Sequence, residues 1–167
     1  MEAWIDDLYR RHGSAVFSFL RGMVRDSHAA EDLMQETFAR ALAAADGFEA
    51  RALPSTWLFT IARNLALNHI RSRRHEASRR CDLNSIAAAG GDPLEKAGID
   101  DEAALVLAAL VTLGEEKREV FLLKVIEGLT YREIAGVIGC PMGTVQSRFH
   151  RALGELKRTL EREGVQK

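Results

Sequence analysis

The chain has 167 residues, of which 28% are charged and 47% are hydrophobic, and its formal net charge is −1. This length suits one domain or two small ones, and the apolar fraction excludes wholesale disorder and collagen-like or mucin-like repeats. No apolar run approaches the roughly 20 residues that a membrane-spanning helix needs, and the N-terminal residues lack the pattern of a signal peptide.

The first 75 residues predict a set of helices. Apolar residues recur at helical spacing over residues 4–24. Asp26 and Ser27 are suited to cap a second helix, which is expected to end near residues 46–47. Acidic and amide groups surround two hydrophobic residues in this second helix, and the cluster comprises Glu31, Asp32, Leu33, Gln35, Glu36 and Phe38. Such a cluster is either ordinary surface or a docking face for a basic partner.

A third helix is predicted after a loop that contains Pro54. Ser55 or Thr56 is expected to cap it, and it is expected to run to about residue 74. At about 100° per residue one side of this helix is apolar. The opposite side carries Arg63, Asn64, Arg71 and Arg74. Six arginines and one acid lie between residues 63 and 80, so the helix ends in a cationic segment suited either to solvent or to phosphates.

The helical pattern lapses between residues 79 and 100. Residues 87–93 read AAAGGDP, which is linker chemistry, and residues 81–116 hold one basic against eight acidic residues. Helical periodicity returns after residue 100, and almost nothing in the chain alternates with period two. The expected fold is therefore all-α, with two small helical domains at residues 1–78 and 101–167 joined by a flexible acidic linker at residues 79–100.

The C-terminal block predicts a helix-turn-helix. Thr130 and Glu133 have the spacing of a capping box, in which each side chain bonds the backbone of the other residue. Gly139 is suited to the left-handed turn that ends this short helix, and Pro141 suits the first position of the next helix. A short helix, a tight glycine turn and a longer helix form the layout of this motif.

The longer helix has two distinct faces. Its apolar stripe comprises Val145, Phe149, Ala152, Leu153, Leu156 and Leu160. Its outer face comprises Gly143, Thr144, Ser147, His150, Arg151 and Arg158. Small residues allow a close approach to a DNA groove, and the polar and cationic side chains that follow are suited to base edges and phosphates. A solvated surface is the alternative interpretation.

Three motifs resemble a known family. Residues 32–38 (DLMQETF) resemble region 2.2 of bacterial RNA polymerase sigma factors, and residues 56–64 (TWLFTIARN) resemble regions 2.3 and 2.4. Residues 128–135 (GLTYREIA) and 143–148 (GTVQSR) resemble region 4.2. The order and the intervening linker are similar to the extracytoplasmic-function class of the sigma-70 superfamily. The resemblance covers nearly the whole chain apart from the linker.

The resemblance implies a region 2 helical bundle, a region 4 helix-turn-helix, and a cytoplasmic protein that binds core RNA polymerase, brings it to a promoter and helps to open the DNA. It places the polymerase contacts, on the clamp helices of the largest subunit, at Asp32, Leu33, Gln35, Glu36 and Phe38, and it adds the polymerase flap as a second docking point. It also implies an anti-sigma factor that masks both domains.

The resemblance also divides the DNA contacts between the two domains. The loop at residues 46–55 and the start of the third helix would capture a base flipped from the minus-ten element, with Phe59 as a candidate for stacking on it. Arg63, Asn64, Arg71 and Arg74 would hold the DNA backbone and the non-template strand. The minus-thirty-five element would be read by Thr144, Gln146, Ser147, Arg148, His150 and Arg151.

Two other classes of protein are alternatives to this interpretation. A stand-alone helix-turn-helix regulator would normally dimerise on a palindrome and would carry a sensor domain, for which the N-terminal block shows no alternation of strands and helices. An enzyme is disfavoured because no zinc-binding, serine-elbow or phosphate-loop motif is present. No cofactor or metal is expected, and Cys81 and Cys140 are interpreted as an idle thiol and a packed residue rather than as a redox pair.

Overall fold

The computed structural model describes residues 2–45, 53–81 and 108–162, and all regular secondary structure within these ranges is helical. The described residues belong to two compact units. The first unit contains α1 (Glu2–Val24), α2 (Ser27–Ala43) and α3 (Pro54–Cys81). The second contains a helical stretch at residues 108–112, followed by α4 (Glu115–Val125), α5 (Tyr131–Ile138) and α6 (Met142–Arg162). The predicted all-α class is confirmed.

The core of the first unit forms where α3 packs against both α1 and α2. The largest side chains that are excluded from solvent there are Val16, Phe19, Leu20, Met23, Leu58 and Phe59. The rings of Phe19 and Phe59 meet edge to face with their centroids 5.6 Å apart. Burial of one such side chain contributes roughly 1.5–3 kcal/mol, so packing rather than helix propensity holds the three helices in place.

The start of α2 is capped as the sequence predicts. Asp26 has an extended backbone, and its Oδ1 accepts a hydrogen bond from the backbone N–H of Ala29 at 3.0 Å. Arg25, with φ of 59°, lies in the left-handed region and closes α1 just before this cap. α2 ends at Ala43, and its expected end at residues 46–47 lies outside the described residues.

Both predicted ends of α3 are wrong. The helix begins at Pro54, and the backbone N–H of Trp57 donates to the carbonyl of Leu53 at 3.1 Å. Proline suits this first position because its missing N–H would have no partner inside the helix and its φ is already helical. The helix continues to Cys81 rather than to residue 74, because residues 75–81 contain no glycine or proline to break it. The first three residues of the expected linker are thus helical, and the rest of it lies outside the described residues.

The second unit has a separate core. Val120 and Leu123 of α4, Ile134 of α5, and Val145 and Ala152 of α6 are all excluded from solvent. The half-buried ammonium group of Lys117 donates to both carboxylate oxygens of Glu155, at 2.5 and 2.6 Å, and so links α4 to α6. These contacts fix the long helix α6 against the short helices that precede it.

Candidate nucleic-acid interface

A complete capping box begins α5. The Thr130 hydroxyl accepts from the backbone N–H of Glu133 at 3.3 Å, and the Glu133 carboxylate accepts from the backbone N–H of Thr130 at 2.6 Å. The hydroxyl also donates to that carboxylate at 2.7 Å. The hydrogen bonds that the Glu133 carboxylate accepts, chiefly from the Thr130 hydroxyl and then from the Thr130 N–H, lower the pKa of Glu133. The nearby Lys124 charge lowers it slightly further, and these effects outweigh the opposite effect of burial. The predicted cap is confirmed.

The turn after α5 is closed by a left-handed glycine. Gly139 has φ of 76°, and its N–H donates to the carbonyl of Ala135 at 2.8 Å. A Cβ at this position would meet no atom within 4 Å, so the backbone angle alone requires glycine. Pro141 is predicted to be the first residue of the next helix, but it lies immediately before α6, which begins at Met142. Its carbonyl accepts hydrogen bonds from the backbone N–H groups of Thr144 and Val145. The helix-turn-helix layout is therefore present.

The inner face of α6 follows most of the predicted apolar stripe. Val145, Ala152 and Leu156 are buried, whereas Leu153 is exposed. Phe149 is half-buried and stacks on Phe121 at 6.0 Å, and it also meets the Tyr131 ring at 5.8 Å. This aromatic cluster fixes the rotation of α6 about its own axis, and it thereby determines which side chains point outward.

The outer face of α6 contains most of the residues that the sequence assigns to DNA. Ser147, His150 and Arg151 are exposed, and Thr144 and Gln146 are half-buried. The Nδ1 of His150 lies 2.8 Å from the carbonyl oxygen of Gln146, one helical turn earlier. Hydroxyl, amide, imidazole and guanidinium groups thus share one side of a helix that is held rigidly from behind.

Arg148 faces a different way from its neighbours. Its guanidinium pairs with Glu116 of α4 at 2.8 Å, it lies 4.0 Å from the Cys140 thiol in the turn, and its side chain is only 21% exposed. The sequence treats Arg148 as a DNA contact, whereas in the structure its charge is used to hold α6 against α4. Sequence reasoning missed this role, because the partner lies 32 positions earlier.

The polar face of α3 presents its cationic residues as predicted. Asn64, Arg71 and Arg74 are exposed, and Arg63 is half-buried. Arg73, on the same segment, is 3.4 Å from the Oδ2 of Asp26, the residue that caps α2. Between residues 63 and 74 the helix therefore offers several guanidinium groups over about three helical turns, which is a spacing suited to phosphates.

The assignment of Phe59 to DNA stacking is wrong for this structure. Its side chain is fully buried against Phe19, so it has no face to offer a base. The prediction fails because α3 contacts α1 and α2 on two sides, which makes its buried face wider than the single apolar side that the sequence predicts. Trp57, at the start of the helix, is half-buried and packs against Trp4 with ring centroids 6.1 Å apart.

The predicted acidic face of α2 is exposed, except that one of its predicted members is buried. Asp32, Gln35 and Glu36 are exposed and Leu33 is half-buried, but Phe38 is buried and meets the Tyr9 ring at 4.9 Å. Phe38 therefore supports the face from behind instead of contacting a partner directly. Glu36 is paired with Arg40 at 2.7 Å, one helical turn away.

A groove between α1 and α2 continues this acidic face. It has a volume of about 510 Å³ and is lined by Tyr9, Arg10, Gly13, Ser14, Phe17, Glu31, Met34 and Gln35. Sequence reasoning missed the aromatic and methionine part of this lining, because those residues look like ordinary core positions of an amphipathic helix. Gln35 connects the groove to the exposed acidic face.

In the part of the chain that the structure describes, no helix combines the length and the apolar character that crossing a membrane requires. No group of three or more histidine, cysteine, aspartate or glutamate side chains is arranged there to hold a metal ion.

Comparison with protein families gives two matches on this chain. Residues 8–76 match the family model "Sigma-70 region 2", and residues 103–156 match "Sigma-70, region 4". The first match spans most of α1 to α3, and the second includes the capping box, the glycine turn and the outer face of α6.

Individual relatives and solved structures agree with these matches. The chain is 39% identical to the "Probable RNA polymerase sigma-C factor" of Mycobacterium bovis over 76% of this chain and 68% of that protein. It is 34% identical to the "ECF RNA polymerase sigma factor EcfG" of Rhodopseudomonas palustris, over 89% and 81% respectively. The structure of the sigma factor RpoE with the anti-sigma factor NepR from Bartonella quintana matches with a TM-score of 0.74 and 29% identity, over 93% of this chain and 97% of that one. The structure of CnrH with the cytosolic domain of CnrY has a TM-score of 0.70 and 25% identity, over 96% and 90%.

Proposed function

The chain belongs to the extracytoplasmic-function class of sigma-70 family sigma factors, and on that premise we propose how its residues divide the work of promoter recognition. As a sigma factor it binds core RNA polymerase, directs it to specific promoters and helps to open the DNA. The single observation that carries this function is the pair of sigma-70 matches, region 2 at residues 8–76 and region 4 at residues 103–156, in one chain. A stand-alone helix-turn-helix regulator would need no region 2.

The domain boundaries that we propose place region 2 at residues 1–78, the linker at residues 79–100 and region 4 at residues 101–167. α1 to α3 supply the first domain, and the helix-turn-helix with α4 supplies the second. Since α3 continues to Cys81, the proposed linker begins within the last turn of that helix.

The acidic face of α2 is the proposed docking site for the clamp helices of the largest polymerase subunit. Asp32, Gln35 and Glu36 are exposed there, and Leu33 adds apolar contact area at the edge. Carboxylates on an exposed helix face attract a basic partner and set its orientation, which increases the association rate and the specificity. The flap of the polymerase is the proposed second docking point, on region 4.

The polar face of α3 is the proposed contact with the opened minus-ten region. Arg63, Asn64, Arg71 and Arg74 would bind the DNA backbone and the non-template strand. The loop at residues 46–55 would hold a base that is flipped out of the DNA duplex. Most of this loop lies outside the described residues. Extrusion of a base costs a few kcal/mol, which these phosphate contacts help to offset.

The outer face of α6 is the proposed reader of the minus-thirty-five element. Thr144, Gln146 and Ser147 lie in the first turns of the helix, which is the part that enters the major groove in a helix-turn-helix. Arg151 is exposed and is suited to donate two hydrogen bonds to guanine, which is worth roughly 1–3 kcal/mol of discrimination. Arg148 would act from behind, through its ion pair with Glu116.

The remaining proposals concern partners and place. An anti-sigma factor is the proposed regulator, since the structural relatives RpoE and CnrH were solved with such a factor and with the cytosolic domain of CnrY, respectively. The bacterial cytoplasm is the proposed location, because polymerase and promoter DNA are there. The chain would contribute binding energy and no catalytic group, so the polymerase would catalyse the synthesis of RNA.

Run-off transcription tests this function directly. Purified bacterial core polymerase is mixed with a promoter library, with and without the chain. We expect promoter-specific transcripts that appear only when the chain is added, and a stable complex between the chain and core polymerase in gel filtration. A chain that neither binds core polymerase nor adds specificity, but that protects a palindrome as a dimer, would instead be a stand-alone regulator.

A further inference from the structure

His150 is held in one orientation on the outer face of α6. Its Nδ1 lies 2.8 Å from the carbonyl oxygen of Gln146, one helical turn earlier. A carbonyl oxygen only accepts hydrogen bonds, so Nδ1 must carry the proton in this contact. In a neutral imidazole only one nitrogen is protonated, and Nε2 is then an acceptor with a free lone pair.

A second contact involves the same ring. The Phe149 ring meets the His150 ring edge to face at 6.1 Å, and Phe149 is itself packed against Phe121 and Tyr131. His150 is nevertheless exposed. Since the Gln146 carbonyl occupies Nδ1, Nε2 is the nitrogen that remains for a partner in solvent.

We propose that His150 is a specificity-determining residue that presents Nε2 as a hydrogen-bond acceptor to the major groove. The proposal rests on the proposed function, in which α6 reads the minus-thirty-five element. In that groove only the N4 amino group of cytosine and the N6 amino group of adenine donate, whereas guanine and thymine present acceptors. His150 thus selects cytosine or adenine on the strand that it faces.

The neighbouring residue has the opposite character. Arg151 only donates hydrogen bonds, so it favours the two acceptors of guanine. His150 thus accepts a hydrogen bond from a base, whereas Arg151 donates hydrogen bonds to a base. Each side chain can be substituted without changing the hydrogen-bonding groups of the other.

Selection from a randomised minus-thirty-five element tests the proposal. Each promoter variant carries a barcode in its transcribed part, and the barcoded transcripts made with core polymerase are sequenced for the native chain, for His150→Ala and for His150→Lys at about pH 8. On the strand that His150 faces, we expect the native chain to favour cytosine or adenine at one position by roughly three- to tenfold, and the alanine variant to lose that preference. The lysine variant, which can only donate, should reverse it, so that the bases on the two strands are exchanged. A lysine variant that keeps the native preference overturns the proposal, and so does a preference that His150→Ala leaves intact.

Base analogues test the tautomer with the native chain alone, so the result does not depend on how a variant folds. Where adenine is selected, it is replaced by purine, which lacks the 6-amino group, or by 7-deazaadenine, which lacks N7. Where cytosine is selected, 2-pyrimidinone takes the place of purine. We expect the loss of the amino group to lower transcription by roughly three- to tenfold, and the loss of N7 to leave it unchanged. The opposite pattern would mean that His150 donates, which overturns the proposal.

Arg151→Ala separates this proposal from the function on which it rests. If Arg151→Ala alters base preference at its own position while His150→Ala alters none, only the proposal for His150 fails. If neither substitution alters any base preference, the assignment of α6 to base reading fails as well.

Discussion

At the scale of single residues, Arg148 and Arg151 lie on one helix and have different surroundings. Arg148 is turned inward to Glu116 and the Cys140 thiol, whereas Arg151 is exposed. Sequence alone groups the two, since both are arginines in the same motif. Only the packing of α6 against α4 separates the inward-facing Arg148 from the exposed Arg151, which is the one that we propose to read a base.

Substitution of each arginine should therefore produce a different defect. We expect Arg148→Ala to lower the free energy of unfolding by about 1 kcal/mol, because a partly buried ion pair and its packing are lost. Arg151→Ala should change that stability by less than about 0.5 kcal/mol and should lose roughly 1–3 kcal/mol of selectivity for guanine. Urea unfolding and promoter selection measure the two effects.

Glu116→Gln is the control for this pair of variants. It should reproduce only the part of the Arg148→Ala loss that comes from the ion pair, because the Arg148 side chain stays packed. The double variant should cost little more than Arg148→Ala alone, because both substitutions remove the same ion pair. Additive losses would show that the ion pair does not hold α6. An equal loss of transcription from all promoters in Arg151→Ala would contradict its role in reading a base.

Errors at this scale have a common physical cause. Phe59 and Phe38 belong to motifs that the sequence identifies, and both were expected to contact a partner. Both are instead buried, Phe59 against Phe19 and Phe38 against Tyr9. A helical wheel assumes one buried stripe, whereas a helix that contacts two neighbours buries a wider face. The width of that face is determined by tertiary packing, which a single sequence does not specify.

At the scale of elements, local chemistry allows good prediction of helix ends where a side chain makes the cap. Asp26, the pair Thr130 and Glu133, and Gly139 all act as the sequence predicts. The predicted start of α3 was wrong because it assumed a side-chain cap at Ser55 or Thr56, whereas Pro54 begins the helix through its restricted φ. Its end was wrong because apolar periodicity stops before the helix does.

The capping box gives a prediction about stability. Thr130→Ala removes the acceptor for the Glu133 N–H and the donor to its carboxylate, and we expect it to lower the free energy of unfolding by roughly 1 kcal/mol. Thr159→Ala is the matched control, since its hydroxyl donates only to the carbonyl of Glu155 within α6. The control should be within about 0.5 kcal/mol of the native chain. Equal effects of the two substitutions would contradict the importance of the cap.

The same cap should depend on pH in a defined direction. The pKa of Glu133 is lowered in the folded chain from its ordinary value of 4.5, chiefly by the Thr130 hydroxyl. A group with a lowered folded pKa stabilises the fold at pH values above the ordinary pKa, and this stability is lost as the pH falls through the lowered pKa. The difference in stability between the native chain and Thr130→Ala should therefore be constant above pH 4.5 and shrink below it. A difference that grew on acidification would exclude this mechanism.

At the scale of the whole molecule, the sequence separates the charges by element. The acidic face proposed for docking lies on α2, the cationic face lies on α3, and the helix-turn-helix lies in the other unit. Fold class and the order of functions were predictable, because three local motifs carry them. The groove at Tyr9, Phe17 and Met34 was not predictable, since it exists only where two helices leave a gap between them.

This separation predicts that polymerase binding and promoter choice can be lost independently. Gln35→Ala combined with Glu36→Ala should weaken core polymerase binding by about tenfold or more, because an amide and a carboxylate are removed from the exposed face of α2. The base preference at the minus-thirty-five element should stay native once saturating protein restores the complex. Fluorescence anisotropy with core polymerase and selection from the promoter library measure the two properties on the full-length chain.

The substitution at Glu36 also releases Arg40 from its ion pair, so a control for a broken surface pair is needed. Asp7→Ala provides it, because Asp7 and Arg11 form an exposed pair at 2.8 Å with the same spacing on α1. This control should leave core polymerase affinity within about twofold of native, since an exposed pair contributes little to stability. Unchanged affinity in the Gln35 and Glu36 double variant would remove the docking assignment, and an altered base preference would show that the two units do not act separately.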